Sequence, residues 1–280
     1  MLIFTGPAFS VCVGNEVESS MSKPTSMNWL LLKGLVREQR HWLDFPTKME
    51  REIPGTRVHV LDLPGVGLAS KEKAPFRLGK TVEHLRERWL PLVAAEAGPW
   101  AVFGVSMGGM LALEWAHRFP EDFLAVVSAN ASAANLSMPY RRMRPPIWWG
   151  ISRVGLTRDP VQRELQVLSM VTSSRSQDVE LARLFAAFQR DKPVRFQTLF
   201  RQLIAAGTWR APSKLKAKSL ILLSEGDRFV HPSCSRALAL RLGAELRTHP
   251  GAGHEITMDE PEWVLRTLAD VFRLAPLVPR

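Results

Sequence analysis

AVFGVSMGGMLALEWAHRF, residues Ala101 to Phe119, places one serine between an apolar run and a helical pattern. Ala101, Val102, Phe103 and Val105 read as a buried strand, and the residues after Ser106 carry apolar side chains at helical spacing. Within it, Gly104-Val105-Ser106-Met107-Gly108 has the G-x-S-x-G spacing. A strand that turns directly into a helix strains the turn residue, and residues two before and two after it must be small. The serine hydroxyl is then lifted clear at a helix N-terminus, where free N–H groups can stabilise developing negative charge. A glycine-rich turn that happens to hold a serine is the bland alternative. The strand before and the amphipathic helix after favour the nucleophile.

Working outward, short apolar runs at Asn28–Lys33, Arg57–Leu63, Phe123–Ala129, Ser219–Ser224 and Glu245–Thr248 read as further strands. Helical patterns fall at His41–Glu52, disturbed by Pro46, and at Thr81–Ala97, Ser233–Leu242 and Pro261–Phe272. Residues 130–212 change character: they are rich in Arg and Trp, with helical patterns at Asp159–Val171, Gln177–Gln189 and Val194–Ala206. Strand–helix alternation, a helical block, then renewed alternation predict an α/β fold. Its mostly parallel central sheet is built from 27–129 and 213–280, with 130–212 as a helical cap.

A nucleophilic serine needs a base, and the base needs an orienting acid. SEGDRFVHP places Asp227 just beyond one strand, and HPGAGHEITMDEPEW places His254 in a glycine-rich loop beyond the next. Ser106 also lies at a strand's C-terminal end, so all three share the sheet edge where open α/β folds build sites. Of the seven histidines, His254 alone combines a loop position with flanking glycines. Glu225 competes with Asp227 for the acid's role; Glu225-Gly226 reads as the turn and Asp227 as its outward-pointing residue.

The chain resembles the α/β-hydrolase superfamily over residues 28–275. The likeness rests on Gly104-Val105-Ser106-Met107-Gly108, Gly226-Asp227, Gly253-His254 and the turn Asp62-Leu63-Pro64-Gly65-Val66-Gly67. It implies an oxyanion hole of two backbone N–H groups, from Met107 and from Leu35 in Lys33-Gly34-Leu35. Lys33 stands where the family often has His, so it is either buried against an acid or reaches the site. Arg37 or His41 either holds a substrate carboxylate or belongs to a structural ion pair. The resemblance implies an esterase-type serine hydrolase acting through an acyl-enzyme, with no metal or cofactor. A serine nucleophile argues against the epoxide hydrolase and haloalkane dehalogenase branches. The alternative is acyl transfer, since SMGGMLALEWA is similar to the nucleophile stretch of homoserine O-acetyltransferases. A non-catalytic binding protein on a hydrolase scaffold is the third reading.

Composition sets the remaining bounds. The 280 residues are 46% hydrophobic and 23% charged, ordinary for a globular chain, and no apolar run is long enough to span a membrane. Cys12 and Cys234 are far apart and read as free thiols of a reducing, cytoplasmic setting. Residues 1–26 read as a disordered leader or as an extension upstream of a start at Met21 or Met27; no Lys or Arg precedes their apolar run, against a signal peptide. Net charge is +10, and residues 130–212 hold thirteen Arg and Lys against five Asp and Glu. Either that excess solvates helices, or it faces an anionic ester or an acidic acyl-carrier protein. No motif suggests a nucleic-acid partner. Trp148, Trp149 and Met138, together with Phe185, Phe188 and Trp209, are candidate lining for a substrate pocket, or pack the cap onto the core.

Overall fold

The computed structural model describes residues 26–274; apart from the exposed Ser26, the expected leader lies outside the described residues, as does Cys12. The chain runs β1 (Asn28–Leu32), α1 (Phe45–Glu52), β2 (Arg57–Val60), α2 (Leu78–Ala95), β3 (Trp100–Val105), α3 (Met107–Arg118) and β4 (Ala125–Ala129). Five helices follow: α4 (Pro139–Arg142), α5 (Pro145–Leu156), α6 (Pro160–Val171), α7 (Val179–Asp191) and α8 (Phe196–Thr208). The chain then returns to β5 (Lys218–Ser224), α9 (Ser233–Leu242), β6 (Glu245–His249), α10 (Ile256–Asp259) and α11 (Pro261–Phe272).

The six strands form one sheet in the order β2-β1-β3-β4-β5-β6, and every neighbouring pair is parallel. Side-chain alternation divides the core. Leu30, Leu32, Val102, Val126 and Ile221 face a cluster built with α2, α3 and α9. Trp29, Leu31, Phe103, Val105, Val127 and Leu222 face a second cluster with α1 and α11. Both faces are covered, which is why these strands are continuous apolar runs rather than alternating ones.

The order reverses direction between β1 and β3: the chain leaves β1 toward β2, then crosses back. Leu32 pairs with Gly104 in register, so the segments following these two strands diverge from adjacent points and leave a crevice at the sheet's C-terminal edge.

Prolines account for the helix boundaries that sequence periodicity misses. Pro46 does not disturb a helix over 41–52; a 3-10 turn at Gln39–Trp42 precedes α1, and Pro46 sits in its first turn. Helices α4 and α5, which have no sequence counterpart above, open on Pro139 and on Pro145-Pro146. At the first helical positions the missing N–H has no intrahelical partner to lose. No helix of the described residues is long and apolar enough to cross a membrane.

Candidate active site

Ser106 stands between β3 and α3 with φ 58°, in the left-handed region. Its own N–H donates to the Ala129 carbonyl of β4 at 2.8 Å. The flanking glycines are required for separate reasons. A Cβ on Gly104 would fall 2.0 Å from the Gly108 carbonyl oxygen, and one on Gly108 would fall 2.0 Å from that of Leu32. The elbow thus presses α3 onto the end of β1. Gly34 makes a third close approach: a Cβ there would lie 3.2 Å from the Ser106 Cβ. The Lys33-Gly34-Leu35 backbone therefore runs beside the serine, as expected from the register of β1 and β3.

Asp227 follows β5 and is buried. Its Oδ1 accepts the Phe229 and Val230 N–H groups at 2.7 and 2.9 Å. Its Oδ2 is 2.7 Å from His254 Nδ1. An ionised carboxylate only accepts, so this contact puts the ring proton on Nδ1 and leaves Nε2 as the free lone pair. Phe229 stacks on the imidazole, with centroids 4.9 Å apart. Burial disfavours the imidazolium, but the Asp227 charge and hydrogen bond outweigh it, and the His254 pKa is raised. Glu225, the rival acid, pairs with Arg236 at the surface.

The loop that carries His254 is held by groups that no local motif announces. Asn130, with φ 50°, donates to Ser224 Oγ and to the His254 carbonyl at 2.9 and 2.8 Å, and accepts the Ser224 N–H. Asp259 accepts from the N–H groups of Gly253 and Ser173, and the Glu255 N–H donates to the Val171 carbonyl. The loop is thereby tied to the ends of β4, β5 and α6.

Lys33 is buried against an acid: Nζ is 2.6 Å from Glu255 Oε2, and lies over the Trp42 ring. Burial lowers the Lys33 pKa and Glu255 counteracts that only in part. Arg37 forms a buried ion pair with Glu164 Oε2 at 2.9 Å and lies 3.1 Å from His41 Nε2. Burial, Arg37 and Lys33 hold His41 well below its usual pKa. The segment after β1 is thus fastened to the His254 loop through Lys33 and to α6 through Arg37.

A cavity of about 400 Å³ opens on these groups. Gly34, Leu35, Arg37, Ser106, His254 and Glu255 line its polar end. Apolar residues of the helical block, among them Ile151, Val154, Val167, Met170 and Leu199, line the rest. Trp148, Trp149 and Met138 do not line it. On α5 the inward positions are Ile147, Ile151 and Val154, one helical stripe, while Trp148 and Trp149 fall on the other side and are exposed, as is Met138. Phe185 is fully buried in a cluster with Leu168, Leu181 and Met258. Trp209 is buried and donates to Glu114. Both pack helices rather than line the cavity. Of the three arginines close together at Arg141, Arg142 and Arg144, two are committed: Arg142 donates to the Ala206 and Gly207 carbonyls, and Arg144 to that of Asp227. Among the described residues no group of three or more His, Cys, Asp or Glu converges as metal ligands would.

Residues 30–267 match the model of the Alpha/beta hydrolase family. A poly(3-hydroxyalkanoate) depolymerase of Ectopseudomonas oleovorans is 33% identical over 96 residues, 34% of this chain and 32% of that protein. A pimeloyl-[acyl-carrier protein] methyl ester esterase of Hamiltonella defensa subsp. Acyrthosiphon pisum (strain 5AT) is 34% identical over 96 residues, with the same coverage. The matched stretch spans about a third of each of these curated relatives. Among solved structures, a thermophilic esterase from Thermogutta terrifontis superposes with a TM-score of 0.68 at 18% identity, covering 89% of this chain and 90% of that one.

Proposed function

The chain belongs to the Alpha/beta hydrolase family, and from that premise we propose that it is a serine hydrolase cleaving a small carboxylic ester through an acyl-enzyme. The observation that carries the reading is the shared cavity: Ser106 and His254 line one end of it, and the His254 Nδ1 is held by Asp227 at 2.7 Å. In this reading Ser106 Oγ attacks the acyl carbon as His254 Nε2 takes its proton. The carbonyl electrons move onto the oxygen, which the N–H groups of Leu35 and Met107 receive. His254 then gives the proton to the departing alkoxide. Water, deprotonated by the same nitrogen, attacks the acyl carbon, and the imidazolium returns that proton to Ser106 Oγ as the acid is released. Asp227 keeps the tautomer correct throughout.

Helices α4–α8 serve as the cap of this site, since α5, α6 and α8 supply the cavity's apolar walls. Its volume and lining suit an apolar acyl or alcohol group of modest size. Arg163 and Arg195, which line the cavity and are exposed, attract anionic esters to the entrance.

Labelling with a fluorophosphonate tests the nucleophile, and p-nitrophenyl esters of graded chain length test the pocket. Wild-type protein takes the label at Ser106 and the Ser106→Ala variant does not. Equal labelling of both would overturn the assignment.

A further inference from the structure

Residues 138–158 hold five arginines and no aspartate or glutamate. The same stretch exposes Met138, Tyr140, Trp148, Trp149 and Leu156; Trp149 is 76% and Leu156 84% accessible. On α5 the exposed positions Pro145, Trp148, Trp149, Ser152 and Leu156 recur with the helical period and form a stripe on the face opposite Ile147, Ile151 and Val154. Arg153 is exposed beside it, and Arg141 and Arg158 are exposed at either end. A helix that merely meets water has no physical reason to present two indoles and a leucine there. An indole gains most at the boundary between water and hydrocarbon, where its ring is half in each. The exposed guanidinium groups of Arg141, Arg153 and Arg158 match the phosphates of an anionic leaflet. The cavity entrance has the same composition: Phe196 lines the cavity and is 78% exposed, next to the exposed Arg195.

We propose that the outer face of α5, with Met138 and Tyr140 of the preceding turn, docks on the surface of an anionic phospholipid bilayer. The favoured partner is a bilayer rather than an acidic protein because it accepts both halves of the face at one depth. Arginines at headgroup level and indoles just below them need no preformed recess. An acidic protein would satisfy the arginines and leave Trp149 and Leu156 requiring an apolar pocket of matching shape. Docking is independent of the reaction at Ser106. If Ser106 cleaves esters, the face also brings the cavity's α5 wall to a phase in which apolar esters are concentrated.

The test is co-sedimentation of the full chain with vesicles of phosphatidylcholine, alone or mixed with phosphatidylglycerol. Binding is expected to the mixed vesicles and to weaken with salt. A Trp148→Ser, Trp149→Ser, Leu156→Ser variant should partition at least tenfold less. Arg141→Gln, Arg153→Gln, Arg158→Gln should lose about a hundredfold. Both should keep the wild-type melting temperature and the rate with p-nitrophenyl acetate, so that lost docking is distinguished from lost catalysis. Trp149→Ser alone, with a several-fold loss, covers the case of a triple variant that does not fold. No binding to mixed vesicles at low salt, or wild-type binding by the Trp/Leu variant, would overturn the proposal. So would retention on poly-L-glutamate without vesicle binding, which would assign the face to an acidic protein instead.

Discussion

The two ends of the cavity are built on different principles. At the Ser106 end the serine itself is set by backbone: its left-handed φ, two glycines that leave carbonyl oxygens no further room, and Gly34 beside them. At the other end α5, α6 and α8 contribute side chains from helix surfaces; outside the cavity lining, Gly207 near the end of α8 has nothing within 4 Å of where a Cβ would stand. The difference teaches where change is tolerated. The sheet end fixes atoms to a fraction of an ångström, while the helical end only has to be apolar and roughly the right shape.

Ser106→Ala should give the largest effect, a loss of about three to six orders of magnitude in kcat/KM at unchanged melting temperature. Ester hydrolysis at a near wild-type rate would break the comparison at its root. Lys33→Met leaves the Glu255 carboxylate buried without its cation, at a cost of about 3–5 kcal/mol. Chemical denaturation reads it, and a change below 1 kcal/mol would mean that the pair holds nothing together. Gly108→Ala drives a methyl against the Leu32 carbonyl and should cost about 3 kcal/mol, because backbone cannot step aside as a side chain does.

In the proposed mechanism only the neutral ring accepts the serine's proton, so the raised His254 pKa should put the lower limb of the kcat/KM profile above the ordinary value of about 6.5. Stability runs the other way. Because the folded-state pKa is raised, the pair's contribution is fully present below about pH 6.5 and is lost as pH rises through the folded value. Asp227→Asn should move the kinetic limb to lower pH and reduce the rate; an unmoved limb would detach His254 from Asp227. The smallest effect belongs to the helical end. Gly207→Ala should gain about 0.5–1 kcal/mol by helix propensity alone, read as a small rise in melting temperature.

That contrast also explains what could be read from the chain. All six strands and the positions of Ser106, Asp227 and His254 carry local signals, because a strand run, a G-x-S-x-G turn and a Gly-flanked histidine each fit within a few residues. Lys33 and Arg37 stand out in the sequence as cations in need of an acid, but their partners Glu255 and Glu164 lie over a hundred positions away and leave no local trace. Asn130 looks like any loop asparagine until three segments meet on it. The outward side of Trp148 and Trp149 is legible in the sequence, since the spacing of Ile147, Ile151 and Val154 fixes which side of α5 faces inward.

The buried ion pairs have one more consequence, for the orientation of a guest. Deep in the cavity Arg37 is balanced by Glu164, and Lys33 behind it by Glu255, so neither of these cations adds net positive charge at this end. At the entrance Arg163 and Arg195 are exposed and positive. The resulting potential falls along the cavity's length like a polarity marker. A molecule neutral at one terminus and anionic at the other has one favourable way in, neutral terminus first. In the proposed reaction, the bond presented to Ser106 is then selected by where the guest keeps its charge, before shape has any part in it.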